Sequence, residues 1–554
     1  SAASDVYKRQ NRGGVILAVI NTPTYAPVWD ALNPNQYYNN FYGVGNITNP
    51  LENMARAKNN KDKENRLLAS GNILLTPFPE LKFKSTLTLD RRNAVNTTFL
   101  DPISTAWGRN QYGEASDNRN MNTVLTFDNV LTYNKNFKKH GLEVMAGSSW
   151  TDSDYSNSWI NGSHYRSDQI QTLNAANKIS WDNTGTGASQ WGIMSFFGRV
   201  AYNFDSKYLV TANLRADGSS KLGANNKWGF FPSASLAWVL KEESFLKDVD
   251  VVSNLKIRTG YGLTGNQDAI SAYNSLKLMS PTGVTTVNGK PVVTYGINRN
   301  DNPDLKWEVK RMFDIGIDAG FFEDRLTGTL DYYYSKTSDL LYNYAVPVPP
   351  FAFNTLLANL GEMENTGIEV AVTGVPVKTK DMELTISANF SWQKNKLLSL
   401  SGSYMGQSLS AKEYMNLGGM NGAGFIGGNN QVIYQMVGQP LGVFYLPKCD
   451  GLIDMNGNGE YTYHILDIDG QEGIDLSDGK DRYVAGQAMP KFYLGGNISF
   501  RYKQFDIQTQ FSGAFGHKIY NGTSLSYMNM SLFPTYNVMK LSLIHISEPT
   551  RLLS

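Results

Sequence analysis

The 554-residue sequence holds one cysteine, five histidines and no stretch of about 18 consecutive apolar residues. Each scarcity excludes something. Cys449 has no second cysteine to pair with, so no intrachain disulfide stands behind the fold, and it reads as a lone structural or loop thiol. His140, His164, His464, His517 and His545 are scattered, and no HExxH, P-loop or GxSxG string occurs, so no nucleophile–base constellation can be assembled and no enzyme is expected. The missing apolar run excludes a transmembrane helix, although not a barrel, whose strands are apolar only at every second residue. Charge bias is missing too: 50 Lys and Arg stand against 49 Asp and Glu, which gives nothing to suggest nucleic acid as a partner. The 51 glycines and a period-two pattern argue against long helices.

What is there is alternation. In Asn302–Ser335, Phe313, Ile315, Ile317, Ala319 and Phe321 alternate with Asp314, Gly316, Asp318 and Gly320. After Glu323-Asp324-Arg325, Leu326, Leu330, Tyr332 and Tyr334 alternate with Thr327, Thr329, Asp331 and Ser335. Successive side chains of a strand point to opposite faces, so this is a hairpin with one apolar and one polar face. Similar pairs recur: Asn65–Thr76 with Leu81–Asp90, Thr123–Tyr133 with Leu142–Trp150, Phe196–Phe204 with Tyr208–Ala216, Phe230–Leu240 with Leu255–Leu263, Thr366–Thr373 with Leu384–Trp392, and Gly496–Tyr502 with Phe505–Ala514. The pattern predicts about fifteen strands of roughly nine to eleven residues, the length that crosses a bilayer at a tilt.

Connections alternate as well. Short ones fall at Pro77–Pro79, Asn134–Gly141, Asp205–Lys207, Lys241–Asn254, Glu323–Arg325, Gly374–Met382 and Lys503–Gln504. The excursions Arg91–Asn120, Thr151–Gln190, Thr264–Arg311, Lys336–Asn365 and Gln393–Lys491 all fall on the opposite side. Short inner turns and long outer loops are the habit of bacterial outer-membrane barrels. Tyr and Trp recur at strand ends (Tyr133, Trp150, Tyr202, Tyr208, Trp228, Trp238, Tyr261, Trp307, Trp392), where aromatic belts sit at membrane interfaces. The expected fold is all-β, a transmembrane antiparallel β-barrel in the outer membrane of a Gram-negative bacterium.

Several strings then occur in order: Asp217-Gly218-Ser219-Ser220, WGFFPSASLAW at Trp228–Trp238, GYGLTGNQ at Gly260–Gln267, NPDLKWE at Asn302–Glu308, GEMENTGIEV at Gly361–Val370, GQPLGVFY at Gly438–Tyr445, an Asp-rich run ending at Asp481-Arg482, and MPKFYLGGNISFRYKQFD. In order and spacing they resemble the barrel of SusC/RagA-like TonB-linked outer-membrane proteins. The resemblance implies an active importer of oligosaccharides or peptides. It implies outer-membrane lipid around the barrel, a SusD-like lipoprotein over its mouth, a plug inside it, and a TonB complex coupled through a TonB box. No plug, TonB box or signal peptide is recognisable. Residues 1–10 and 542–554 read as artefactual ends, and 11–541 as a partial TonB-dependent receptor barrel. A siderophore, cobalamin or peptide receptor is the alternative within the class; a passive porin or surface-binding barrel is the alternative outside it.

Asp467, Asp469, Gln471, Asp475 and Asp478 occupy positions 1, 3, 5, 9 and 12 of a twelve-residue window, an oxygen-rich spacing suited to Ca²⁺ in an extracellular loop. Glu472 stands where a turn glycine is usual, and Gly473 follows one residue later. Asp454, Asn456 and Asn458 begin a second such pattern that Ile465 breaks. Gly422, Gly424 and Gly427 spell GxGxxG without a following helix and read as a loop. Trp107, Tyr155, Trp159 and Tyr165 are loop aromatics suited to stacking on sugar rings.

Overall fold

A computed structural model describes residues 60–521 except 101, 103–111, 411–413, 420–430, 455–456, 458, 460, 472, 475–479 and 520, with scattered residues between 19 and 54. The dominant element is one antiparallel sheet of 15 strands. Fourteen follow one another in chain order: β1 (Lys61–Phe78), β2 (Leu81–Leu100), β3 (Glu114–Phe137), β4 (His140–Ser163), β5 (Gly185–Phe204), β6 (Tyr208–Ser219), β7 (Trp228–Val239), β8 (Val252–Asn266), β9 (Glu308–Phe321), β10 (Leu326–Ala345), β11 (Thr355–Lys378), β12 (Met382–Ser399), β13 (Phe492–Tyr502) and β14 (Phe505–Phe515). The two-residue strand Lys178–Ile179 adds to the tip of β4. Every pair is an up-and-down neighbour, and no strand among the described residues pairs with the outer edges of β1 or β14.

The expected parity is present. Residues 79–80, 138–139, 205–207, 322–325, 379–381 and 503–504 make tight turns at one end of the sheet, and 240–251 adds two helical turns there. Asp205 and Ser206 take φ of 54° and 57°, the left-handed pair that matches the twist of a two-strand hairpin. At the other end lie 101–113, 164–184, 220–227, 267–307, 346–354 and 400–491. The segment 267–307 contains the hairpin Leu278–Val287 with Lys290–Arg299. The segment 400–491 carries three further small sheets, the largest made of Tyr414–Gly419, Gln431–Met436, Val443–Pro447 and Arg482–Gln487.

Strand length is where the sequence reading falls short. β3, β4 and β11 are 24 residues each, far beyond nine to eleven. The excursions read at Arg91–Asn120, Thr151–Gln190 and Lys336–Asn365 are largely continuations of strands, as in the pairs Asn122↔Tyr155 and Asn118↔Trp159. The cause is physical. Outside the membrane both faces of a strand are wet, so hydrophobic alternation stops while the backbone ladder continues.

The alternation itself sorts as expected. Phe313, Ile315 and Ile317 stand opposite Tyr334, Tyr332 and Leu330 on the exposed apolar face, with Ile317 40% exposed. Asp314, Gly316 and Asp318 face Tyr333, Asp331 and Thr329 on the other side. On β5, Met194, Phe196, Val200 and Tyr202 are outward and exposed. Residues 194–202 at about 3.3 Å each and a tilt of about 40° span roughly 23 Å, the height of the apolar band of such barrels. Belts border this band. At the turn end Phe204, Tyr208 and Trp238 stack in series, with ring centroids 6.4 and 6.3 Å apart. At the loop end Phe196 stacks on Trp228 and Phe390 on Phe492. Trp307, expected in a belt, is instead buried, because it precedes β9 and is covered by the loops of the mouth.

The buried apolar clusters lie at the loop end: Leu222, Phe231, Ile270, Leu305 and Trp307 in one, Tyr344, Val346, Leu356, Ala358, Tyr404 and Leu409 in another, and Phe99, Ala115 and Tyr165 in a third. The turn end needs no such core when its outward side chains meet lipid and its inward ones meet water.

Candidate functional site, the inner wall and its outer mouth

The inner wall divides into sectors of different chemistry. Over β8–β10 it is ionic. Lys256 and Arg258 are two apart on β8, so both side chains point inward. Lys256 Nζ lies 3.1 Å from Asp318 Oδ2, and Arg258 Nε 3.2 Å from Asp318 Oδ1. Arg258 Nη2 then reaches Asp331 Oδ1 at 2.7 Å, two strands away. Gly316 is the register partner of both Arg258 and Asp331, so the guanidinium crosses the sheet over a residue without a side chain. These groups are 21–34% exposed, so each pair contributes on the order of 1 kcal/mol or less. Arg199–Glu143 at 2.6 Å and Arg215–Asp217 at 2.8 Å add ionic contacts on β4–β6, and Arg215 Nη2 also donates to Ser195 Oγ.

Over β12–β14 the wall is neutral. Outward Ile386, Phe390, Leu494, Ile498, Ile507 and Phe511 fix the register. The inward positions Thr385, Ser387, Asn389 and Ser391 on β12, Gly495, Asn497 and Ser499 on β13, and Gln508, Gln510 and Ser512 on β14 carry only hydroxyls, carboxamides or no side chain. Charge returns at the turn end, where Arg501 Nη2 meets Glu383 Oε2 at 2.7 Å.

The mouth is fastened by the sequence strings singled out above. In NPDLKWE, the Asn302 carboxamide donates to Leu357 O (2.8 Å) and accepts from Asp304 N (3.0 Å), while Leu305 and Trp307 are buried. Asn359 accepts from Lys306 N and donates to Lys306 O and Asp339 O. In the DGSS string, buried Asp217 receives Arg215, and Ser220 Oγ accepts from Gly192 N at 2.9 Å. Gly223 lies so close to Pro303 that a Cβ would stand 2.1 Å from its carbonyl oxygen. In GQPLGVFY, Gly438 N donates to Leu397 O and Leu397 N to Gln439 O, which ties the long outer excursion to the top of β12. The strings are therefore structural fasteners of the loops, with side-chain amides satisfying backbone groups that irregular segments leave open.

Two residues of the predicted oxygen-rich window, Asp467 and Asp469, lie together. Carboxylate oxygens of Asp467, Asp469 and Asp481 lie within 4.8 Å of one another, and Asp481 is buried. Asp467 Oδ1 accepts from Gly470 N, Asp469 Oδ1 from Gln471 N, and Asp481 Oδ1 from Ile468 N. Asp475 and Asp478, like Asn456, Asn458, Trp107 and Gly422–Gly427, lie outside the described residues. The twelve-residue template did not include Asp481, which the fold brings in from just beyond the window. Of the aromatic candidates among the described residues, Tyr155 and Trp159 are half-buried and Tyr165 is buried. Tyr165 is buried edge-on against Phe99 at 5.0 Å, and burial pushes its hydroxyl up to about 12. Tyr155 donates to Asn120 Oδ1 from within β4, and the Trp159 ring lies over Gly185. Exposed Cys449 donates to Gly451 O.

A wide up-and-down sheet, apolar and belted outside, polar inside, with tight turns at one end and elaborate loops at the other, is the wall of an outer-membrane-type β-barrel. No helix among the described residues is long and apolar enough to cross a membrane. The chain belongs to the family described as TonB dependent receptor-like, beta-barrel, which it matches over residues 9–540. It is 33% identical over 475 residues to TonB-dependent receptor P39 of Formosa agariphila, a match that covers 80% of this chain and 44% of that protein. It is 27% identical over 510 residues to TonB-dependent receptor SusC of Bacteroides thetaiotaomicron, covering 89% and 48%. The fold matches that in "Structure of the RagAB peptide transporter", with a TM-score of 0.72 at 22% identity, covering 92% of this chain and 53% of that one. The chain spans about half the length of the curated relatives it matches.

Proposed function

We propose that this chain is the barrel wall of an outer-membrane importer of nutrients, most simply oligosaccharides, that works with a SusD-like surface lipoprotein and is energised through the TonB complex. The observation that carries this is the continuous polar inner wall behind a lipid-facing apolar band, in a chain related to SusC over 89% of its length. Its chemistry is binding and gated passage, with no covalent step. Peptides are the competing cargo within the class.

The test uses the intact protein, expressed with its neighbouring lipoprotein in cells lacking other importers of the cargo. Uptake of a panel of labelled oligosaccharides and peptides is measured with and without a functional TonB. Oligosaccharide uptake that requires TonB is the expected result. Uptake that persists without TonB overturns the importer in favour of a passive porin, and TonB-dependent uptake of peptides alone changes the cargo.

A further inference from the structure

We propose that the neutral sector of the inner wall, β12–β14, is the face along which solute passes, and that it selects uncharged, hydroxyl-rich solutes. The inference rests on the importer function proposed above and adds to it a path and a substrate class.

The sectors differ in what they offer a moving solute. On β8–β10 the charges at the centre of the wall, apart from that of Asp314, are committed to one another. Arg258 is spent on Asp318 and Asp331, and Lys256 on Asp318. A neutral solute gains little there, because displacing one partner leaves the other charge short of its counter-ion. On β12–β14, Ser387, Asn389, Asn497, Gln508, Gln510 and Ser512 face inward between an ion pair at the turn end and the mouth. Their mutual bonds are neutral and few: Thr373 Oγ1 donates to Ser387 Oγ, and Gln508 Nε2 to Asn497 Oδ1, each at 3.0 Å. Every hydroxyl and carboxamide both donates and accepts. A sugar chain can exchange its water bonds for these groups one at a time, and no group holds it strongly. Passage needs sites good enough to enter and weak enough to leave. Gly495 keeps the wall flat between them; the Asn389 carboxamide lies over it, 2.6 Å from where a Cβ would stand. The boundary is abrupt: Glu369 on β11 stands opposite Asp331 on one side and Ser391 on the other.

The experiment places single cysteines in the intact transporter with Cys449→Ser as background. Asn497→Cys probes the neutral sector. Asn213→Cys is the control, inward on β6 and five residues above its turn-end tyrosine (Tyr208), as Asn497 is from Tyr502. Each is alkylated with a bulky uncharged maleimide, and surface binding and uptake are read separately for a labelled neutral oligosaccharide and its uronic-acid counterpart. Alkylation at Asn497→Cys should reduce neutral uptake by about tenfold or more with surface binding unchanged, and alkylation at Asn213→Cys should change it by less than about twofold. Excess neutral oligosaccharide should slow labelling at Asn497→Cys only. Equal block at the two positions, or none at Asn497→Cys, overturns the path. Preferred uptake of the uronic-acid form by the unmodified protein overturns the substrate class. A wild-type protein that imports no oligosaccharide at all overturns the importer function itself, a result distinct from the other two.

Discussion

Arg258 and Asp331 are joined across a strand that belongs to neither of them. Their 2.7 Å contact passes over β9 at Gly316, where a Cβ would stand 2.3 Å from Asp331 Oδ1 and 2.7 Å from Arg258 Cζ. Glycine inside a strand ordinarily costs about 0.5–1 kcal/mol relative to alanine, so its presence here has a compensating reason. Gly316→Ala should therefore show none of the usual gain and leave the barrel within about 0.5 kcal/mol of the wild type, because displacing a pair worth about 1 kcal/mol or less offsets it. In an Asp331→Ala background the same substitution should recover the usual stabilising gain, because the crowded carboxylate is gone. Urea unfolding of the barrel in detergent, read by heat-modifiable gel mobility, measures all four variants. An additive cycle contradicts the crossing.

The two faces of the opening hairpin make unequal demands. Ile317 points outward between Ile257 and Leu330, while Asp318 points inward and receives Lys256 and Arg258. Ile317→Arg should cost about 2–4 kcal/mol near the membrane midplane. Asp318→Asn should cost about 1 kcal/mol or less, since its partners are partly solvated and Arg258 retains Asp331. Equal effects in the same unfolding assay would mean the face assignment is reversed.

Asn302 is buried, and its carboxamide satisfies two backbone groups of the mouth at once. Asn302→Ala leaves Leu357 O and Asp304 N without those bonds, a cost of about 1–3 kcal/mol. The loss is local, because the loop before β9 is held to β11 through this residue. Hydrogen exchange should accelerate in 267–307 and in the start of β11, while the membrane-spanning parts of β8 and β9 stay protected. Acceleration spread over the whole sheet would show that Asn302 supports the barrel rather than the mouth.

The membrane band was legible in the sequence because lipid on one side and water on the other force a period of two, and Phe313–Phe321 and Leu326–Tyr334 carried that signal with only Gly328 lacking an apolar side chain on the outward face. So was the parity of turns, since tight hairpins need short connections of turn-compatible residues such as Asp205-Ser206. The outer halves of β3 and β4 were not, because pairs such as Asn120↔Asn157 are polar on either face and leave no pattern. The Arg258–Asp331 crossing joins residues 73 apart and depends on register, which no local string encodes. The approach of Asp481 to Asp467 and Asp469 escaped for a related reason: a spacing template compares positions along the chain, while the fold brings carboxylates together in space. The inward glycines were the signal within reach. Gly260 and Gly316 sit where charged side chains of neighbouring strands need room, and Gly320 where Asp324 of the adjoining turn does.

At the turn end, Glu243 gathers the belt. Its carboxylate accepts from Tyr208 Oη at 2.6 Å, Trp238 Nε1 at 3.1 Å and Lys207 Nζ at 3.1 Å. The hydrogen bond from Tyr208 is the largest of the influences that hold this carboxyl below its ordinary range, followed by those from Trp238 and Lys207. A carboxyl that ionises more readily in the folded state than in the unfolded one stabilises the fold above its unfolded pKa, about 4.3, and that contribution is lost as pH falls through the lower folded value. The acid limb of the stability profile should therefore include a Glu243 component that Glu243→Gln removes. The variant should be less stable than the wild type near neutral pH, and the two curves should converge as pH falls through the lower folded value. Trp238 fluorescence should report the same transition, because its indole N–H loses a charged acceptor. The protein has other tryptophans, so a Trp238→Phe reference isolates that signal. Curves that stay parallel down to low pH would place the acid sensitivity in other carboxylates and leave Glu243 as a neutral hydrogen-bond acceptor for the belt.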